Sequence, residues 1–189
     1  MILSNSEIAK CLAQKKFCIG GLDSSDPTRE PFNTSAIDLR LANEIVVPEG
    51  DTPTQLDLSQ GSIAKFLSKH SKSCIISEDQ PYSLVHGRFV LARTKESVDF
   101  PISGNEFYSA RVEGKSSLAR CGILVHFTAP TIHAGFAGTI TLEIINLGPQ
   151  IFLLKPDMFV CQLIIEEVKG KPASAPSQFQ GQTAAVGVV

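Results

Sequence analysis

Two stretches of the 189-residue chain carry side chains suited to chemistry. The first is Glu143, in "GTITLEIINLG" (138–148). On a strand, Thr139, Thr141, Glu143 and Ile145 share one face, and Ile140, Leu142 and Ile144 share the other. A carboxylate in so apolar a strand stands either on a solvated face or buried for a purpose. A buried carboxyl group can shuttle protons near neutral pH, because desolvation disfavours its charged form. The second stretch is "GKSSLARCG" (114–122). Lys115 and Arg120 bring positive charge, Ser116 and Ser117 bring hydroxyls, and the flanking glycines allow a tight backbone. Such a segment either cradles an anion, with Arg holding a carboxylate or phosphate through paired hydrogen bonds, or is a polar turn. It lacks the spacing of a nucleotide-binding P-loop.

Other chemistries are poorly supplied. His70, His86, His126 and His133 show no metal-ligand spacing. His126 falls in the apolar run "ILVHFTA" and reads as a satisfied core residue. The H-x-E and P-C-x-x-C signature of zinc nucleobase deaminases does not occur. The five cysteines, Cys11, Cys18, Cys74, Cys121 and Cys161, are odd in number and form no C-x-x-C pair. They read as reduced thiols of a cytoplasmic protein rather than a disulfide framework or zinc site. A net charge of −2 argues against a nucleic-acid polymer as partner. No run approaches the roughly 20 apolar residues of a membrane span, and the N-terminus has no secretory-signal pattern.

The elements that must position these residues are mostly strands. Ser4 and Glu7 form a capping-box pattern before Ile8 and Leu12, which predicts a helix ending near Lys15 or Lys16. "GGLDSSDPTREPFN" reads as an ordered loop. Ile37, Leu39 and Leu41 alternate with Asp38 and Arg40 in "SAIDLRLANEIVVP", the period of a strand. Further strands are expected at "SCIIS", "RFVLARTKESVDF", "FYSARVEG", "ILVHFTA", "GTITLEIINLG", "IFLLKP" and "MFVCQLIIEEV". A short second helix fits "GSIAKFLSKH", from the spacing of Ile63, Phe66 and Leu67. The pattern predicts a mainly β fold, a sandwich or barrel of jelly-roll type. By composition the Ala-, Ser-, Pro-, Gly- and Gln-rich tail reads as a disordered terminus.

The order of these motifs resembles the trimeric dCTP deaminase branch of the dUTPase-like superfamily. "MILSNSEI" is similar to its opening, "SAIDLRL" to its S-x-D-L-R-L strand, and "FVLARTKESVDFP" to its L-A-x-T-x-E-x-V-x-x-P segment. "GKSSLARCG" resembles its G-R-S-S-L-A-R-x-G signature. "AGFAGTITLEIIN" resembles the stretch that carries its catalytic glutamate. "MFVCQLIIE" is similar to its G-M-x-I-x-Q-L segment, and "QFQGQ" to its terminal Y-Q-x-Q motif. The resemblance implies a distorted β-barrel with jelly-roll elements over residues 1–170, and a flexible C-terminal lid, 171–189, in place of the disordered tail. It implies a homotrimer with active sites between subunits, and conversion of dCTP to dUTP and ammonia. Glu143 takes the family's proton-shuttle place, with Ser116 and Arg120 as its catalytic neighbours. Lys115, Ser116 and Ser117, with Leu118, Ala119 and Arg120 of the same segment, match the substrate-binding stretch. Thr141 and Leu142 match positions that read the pyrimidine, and Gln162 and Gln182 match nucleotide-contacting glutamines. Magnesium is implied as an escort of the triphosphate, without a metal site of the protein's own, and dTTP as an inhibitor.

Three positions depart from the family pattern. His133, in "IHAGF", stands where the family has Asp, and would meet the sugar region. Gln178 replaces a Lys, and Phe179 a Tyr, in the terminal motif. The missing aspartate speaks against a bifunctional enzyme that forms dUMP and pyrophosphate. The three departures together leave room for a non-catalytic nucleotide-binding paralogue.

Overall fold

The computed structural model describes residues 1–49, 63–174, 181 and 184–185. Helix α1 (Asn5–Ala13) begins where the capping pattern places it, with the Ser4 side chain accepting from the Glu7 backbone N–H. Only that half of the box forms, since the Glu7 carboxylate turns to Lys10 instead, 3.2 Å away. The helix stops slightly earlier than expected: Gln14 caps it, and Lys15 has a positive φ of 55°. Its buried residues, Ile8 and Cys11, join the core.

Strands follow in short lengths: β1 (Cys18–Gly20), β2 (Phe32–Asn33) and β3 (Ala36–Pro48). Helix α2 (Ile63–Lys69) precedes β4 (Ser71–Ile75), β5 (Tyr82–Leu84), β6 (Phe89–Asp99) and β7 (Phe107–Gly114). The turn α3 (Ser116–Ala119) leads to β8 (Ile123–Leu124), β9 (Thr131–Ile132), β10 (Ala137–Asn146), β11 (Phe152–Leu154) and β12 (Phe159–Val168). Ten strands form one sheet, along β8-β10-β6-β3-β12-β7-β9, with β1 on β6 and both β2 and β4 on β3. β5 and β11 pair separately. The expected strand at "ILVHFTA" is cut to two residues, so His126 lies beyond its end.

β3 curls the sheet. Its residues 37–40 pair with β12, and Leu41, Ile45 and Val46 pair with β6, with a register shift between Leu41 and Ile45. Such irregularities bend a strand and sharpen its twist. The inner face so formed encloses Phe17, Ile37, Leu39, Leu41, Phe100, Leu142, Ile144, Leu163 and Ile165, all fully buried. The mainly β, curled architecture with an N-terminal helix and a short second helix is the one expected.

β3 is buried on both faces over Ala36–Ala42, so its polar residues are internal. Arg40 Nε lies 2.7 Å from Glu96 Oε1, the Arg40 backbone N–H donates to Glu96 Oε2, and Arg40 Nη2 donates to the Gly21 carbonyl. Asp23 pairs with Arg40 Nη1. The Glu96 side chain is 1% exposed. A charge so deep is tolerated only when paired and hydrogen-bonded. This pair ties β3, β6 and the 21–23 loop together. Among the described residues, no helix is long and apolar enough to cross a membrane.

Candidate active site

β10 presents Glu143 as the period-two reading requires. Ile140, Leu142 and Ile144 are buried, while Thr141, Glu143 and Ile145 are half-buried on the opposite face. Across the ladder, Thr141 stands opposite Arg93 and Glu143 opposite Leu91. A register shift between Thr139 and Thr141 interrupts this pairing. The Thr94 hydroxyl fills the gap: it accepts from the Ile140 backbone N–H at 3.0 Å and donates to the Glu96 carbonyl at 2.7 Å.

The Glu143 side chain is 29% exposed, and its Oε2 lies 2.7 Å from Nδ1 of His126, which is 8% exposed. The Ala129 backbone is a further hydrogen-bond partner of the imidazole. The contact is a close pair that joins the segment after β8 to β10. The neighbouring Glu143 carboxylate raises the imidazole pKa above its ordinary value, against the opposing effect of burial. His126 is thus not the satisfied core residue expected from its apolar neighbours. Its position in the run between "GKSSLARCG" and β10 is the only sequence signal that could have singled it out.

The other candidate residues fall into two groups. Ser116, Ser117, Ala119 and Arg120 are exposed on and after α3, and Leu118 packs inward against the core. Among the described residues, Ser116 and Arg120 have neither a hydrogen bond nor an ion pair to Glu143. The loop after α3 is held by a close backbone approach. Gly122 has φ +86°, and a Cβ there would lie 2.5 Å from Gly148 N. Asn146 fixes the opposing turn, accepting from Gly148 N and donating to the Leu84 and Gln150 carbonyls.

Lys115 and Gln162 converge elsewhere. Both donate to Asp38, Lys115 to Oδ2 and Gln162 Nε2 to Oδ1 at 3.0 Å. His133 is exposed at the turn before β10, where its carbonyl accepts from Phe136 N. Leu142 is fully buried in the core, so only its backbone could face a ligand. Gln182, Gln178 and Phe179 lie outside the described residues. The tail nevertheless reaches this face at two described positions, Gly181 and Ala185. Gly181 N donates to the Ala137 carbonyl at 2.8 Å, and Thr141 Oγ1 lies 3.4 Å from the Ala185 carbonyl. Ala185 is buried in a small cluster with Val46 and Leu91, the cross-strand neighbour of Glu143.

Comparison with known proteins bears on this arrangement. Residues 2–168 match the dCTP deaminase-like family. The chain is 36% identical over 176 residues to a dUMP-forming dCTP deaminase of Dictyoglomus thermophilum, covering 93% of this chain and 84% of that protein. It is 33% identical over 189 residues to a dCTP deaminase of Natronomonas pharaonis, covering 97% and 91%. The solved 2'-deoxycytidine 5'-triphosphate deaminase from Agrobacterium tumefaciens superposes with a TM-score of 0.63 over 88% of this chain and 47% of that one. At 19% identity that likeness speaks for the fold alone. With a match that spans nearly every strand of the sheet, the chain belongs to the dCTP deaminase-like family.

Proposed function

We propose that the protein hydrolytically deaminates dCTP, with Glu143 as proton shuttle. The observation that carries this reading is the half-buried Glu143 carboxylate, held 2.7 Å from His126 on a strand whose alternate residues are locked in the core. Water adds to C4 of the cytosine ring while Glu143 takes a proton from it and passes that proton to N3. The C4 hydroxyl then gives up its proton through Glu143 to the exocyclic amine. The C4–N bond breaks, ammonia leaves and the C4 carbonyl forms. His126 stands beside the carboxylate that takes this proton, and catalytic hydrogen bonds often tighten only around bound substrate.

Ser116 and Arg120 belong to the same centre in this reading. Their exposure, and the lack of a contact to Glu143 within one protomer, favour a site completed between subunits of a homotrimer. The exposed apolar residues Leu124, Phe127, Leu147, Ile151 and Leu153 supply surface for such an assembly. Arg120 would polarise the centre and Ser116 would hold the water. Lys115, Ser116 and Ser117 suit the phosphate chain, whose binding positions the base. The tail, already resting beside Thr141, would act as the lid. Magnesium enters as a companion of the triphosphate, neutralising part of its charge. The described residues hold no cluster of three His, Cys, Asp or Glu side chains, so phosphate oxygens would be its main ligands.

Purified protein incubated with dCTP should release ammonia, and Glu143→Gln should abolish the release; undiminished turnover in that variant refutes the mechanism. The product we favour is dUTP, because His133 lacks the fixed negative charge of an aspartate. A dUMP-forming enzyme is the second reading, favoured by the name of the relative at 36% identity. Chromatography of the products decides between them, and sedimentation tests the trimer. Titration with dTTP tests inhibition.

A further inference from the structure

Asp38 belongs to no step above, yet it organises one edge of the site. Its side chain is 10% exposed. It accepts from three side chains: Lys115 at Oδ2, with Asn33 Nδ2 at 2.8 Å and Gln162 Nε2 at 3.0 Å, both at Oδ1. The register explains the convergence, since Gln162 on β12 is the cross-strand partner of Asp38 on β3. On its other side Gln162 is opposite Glu113, two residues before Lys115. Lys115 also lies over the Phe159 ring, 5.6 Å from its centroid. The lysine at the head of the serine-rich turn is therefore held from two sides and already has a counter-charge.

We propose that Asp38 is an affinity-setting counter-charge: by neutralising Lys115 it weakens the hold of this edge on anions, so that a nucleotide is retained only by engaging several groups at once. This rests on the nucleotide-binding reading of the Lys115 edge. The physical argument concerns charge. An anion against Lys115 would sit about 6 Å from the Asp38 carboxylate. At an effective dielectric of about 20 and physiological salt, a unit charge at that distance changes anion affinity by about tenfold. A lysine without Asp38 would bind phosphate and polyphosphate more tightly.

The test measures binding of inorganic tripolyphosphate and of inorganic phosphate to the full chain by calorimetry, without metal and at several salt concentrations. Asp38→Asn keeps the shape of the side chain and an acceptor for its donors. It should bind tripolyphosphate about tenfold more tightly, and the gain should shrink as salt rises. Asp38→Ser removes the same charge with a smaller side chain and should act in the same direction if the asparagine variant fails to fold. Lys115→Met should weaken binding. Tighter binding cannot arise from structural damage, so a merely structural Asp38 would give the opposite sign. Unchanged or weaker tripolyphosphate binding in a folded neutral variant overturns the proposal. These arms need no deaminase activity, so they fail or succeed independently of the reaction. With dCTP, the folded Asp38 variant should show a lower KM and a lower kcat, as product leaves more slowly; an unaltered KM would also count against it.

Discussion

Replacing His126 with glutamine isolates the charge in the His126–Glu143 pair. Glutamine is polar, uncharged and of similar reach, so the change removes the cation without opening a large cavity. Hydrogen bonds to charged groups contribute about 1.5–3 kcal/mol. The contact distance is 2.7 Å but Glu143 is partly solvated. The lower end of that range, about 1.5–2 kcal/mol, is therefore expected. For a chain of this size that is a fall in Tm of roughly 3–8 °C. The pH dependence gives the sharper test. The imidazole pKa is raised in the folded protein, so the pair stabilises fully below the unfolded value near 6.5 and loses its effect as pH rises through the higher folded value. The Tm gap between wild type and His126→Gln should be widest near pH 6 and should narrow toward pH 9, at fixed protein concentration. A gap that stays constant across this range would show that the two side chains pack together without an ion pair.

Three further changes probe the frame around the site. Gly122→Ala should lower both stability and ammonia release, because the new Cβ would meet Gly148 N at 2.5 Å and φ is +86°; an active, fully stable variant would show that the loop after α3 is not fixed by this approach. Thr94→Val leaves the buried Ile140 N–H without its acceptor and should cost about 1–3 kcal/mol in denaturant unfolding, whereas an unchanged midpoint would mean the register shift is tolerated unaided. Glu96→Gln removes the buried charge opposite Arg40, which keeps Asp23 and the Gly21 carbonyl as partners; the loss should cost up to about 3–5 kcal/mol, read as a drop in Tm.

The face pattern of β10 was legible because side chains alternate every residue, and the apolar set Ile140, Leu142 and Ile144 could only be the inner one. β3 was legible as a strand for the same reason, but not as a doubly buried one. Alternation of Ile37, Leu39 and Leu41 with Asp38 and Arg40 looks the same whether the polar face meets water or other side chains. Which it meets depends on Glu96, Asp23, Lys115 and Gln162, brought in from 17 to 124 positions away along the chain. His126 shows the same difficulty. Its neighbours Ile123 and Val125 are buried, and that apolar context predicts a core residue. The strand ends at Leu124, however, and the ring turns toward a carboxylate on another strand. The second helix was legible from spacing alone, as was its packing side: Leu67 joins the small cluster that also receives Ala185.

The two halves of the candidate site are held in different ways. Glu143 is carried by a strand whose alternate residues are locked in the core and whose flanks pair with β6 and β8. Side chains placed on such a scaffold hold their position closely. The serine–arginine turn has no such support, being four exposed-to-half-buried residues pinned by Lys115 at one end and by the Gly122–Gly148 approach at the other. Changes in the frame under β10 should therefore lower stability and activity together. Changes at Asp38 or Lys115 should alter nucleotide affinity and turnover out of proportion to stability. In the proposed centre the reaction needs both halves in register, so changes to the pins on the turn should lower turnover as changes to the carboxylate do.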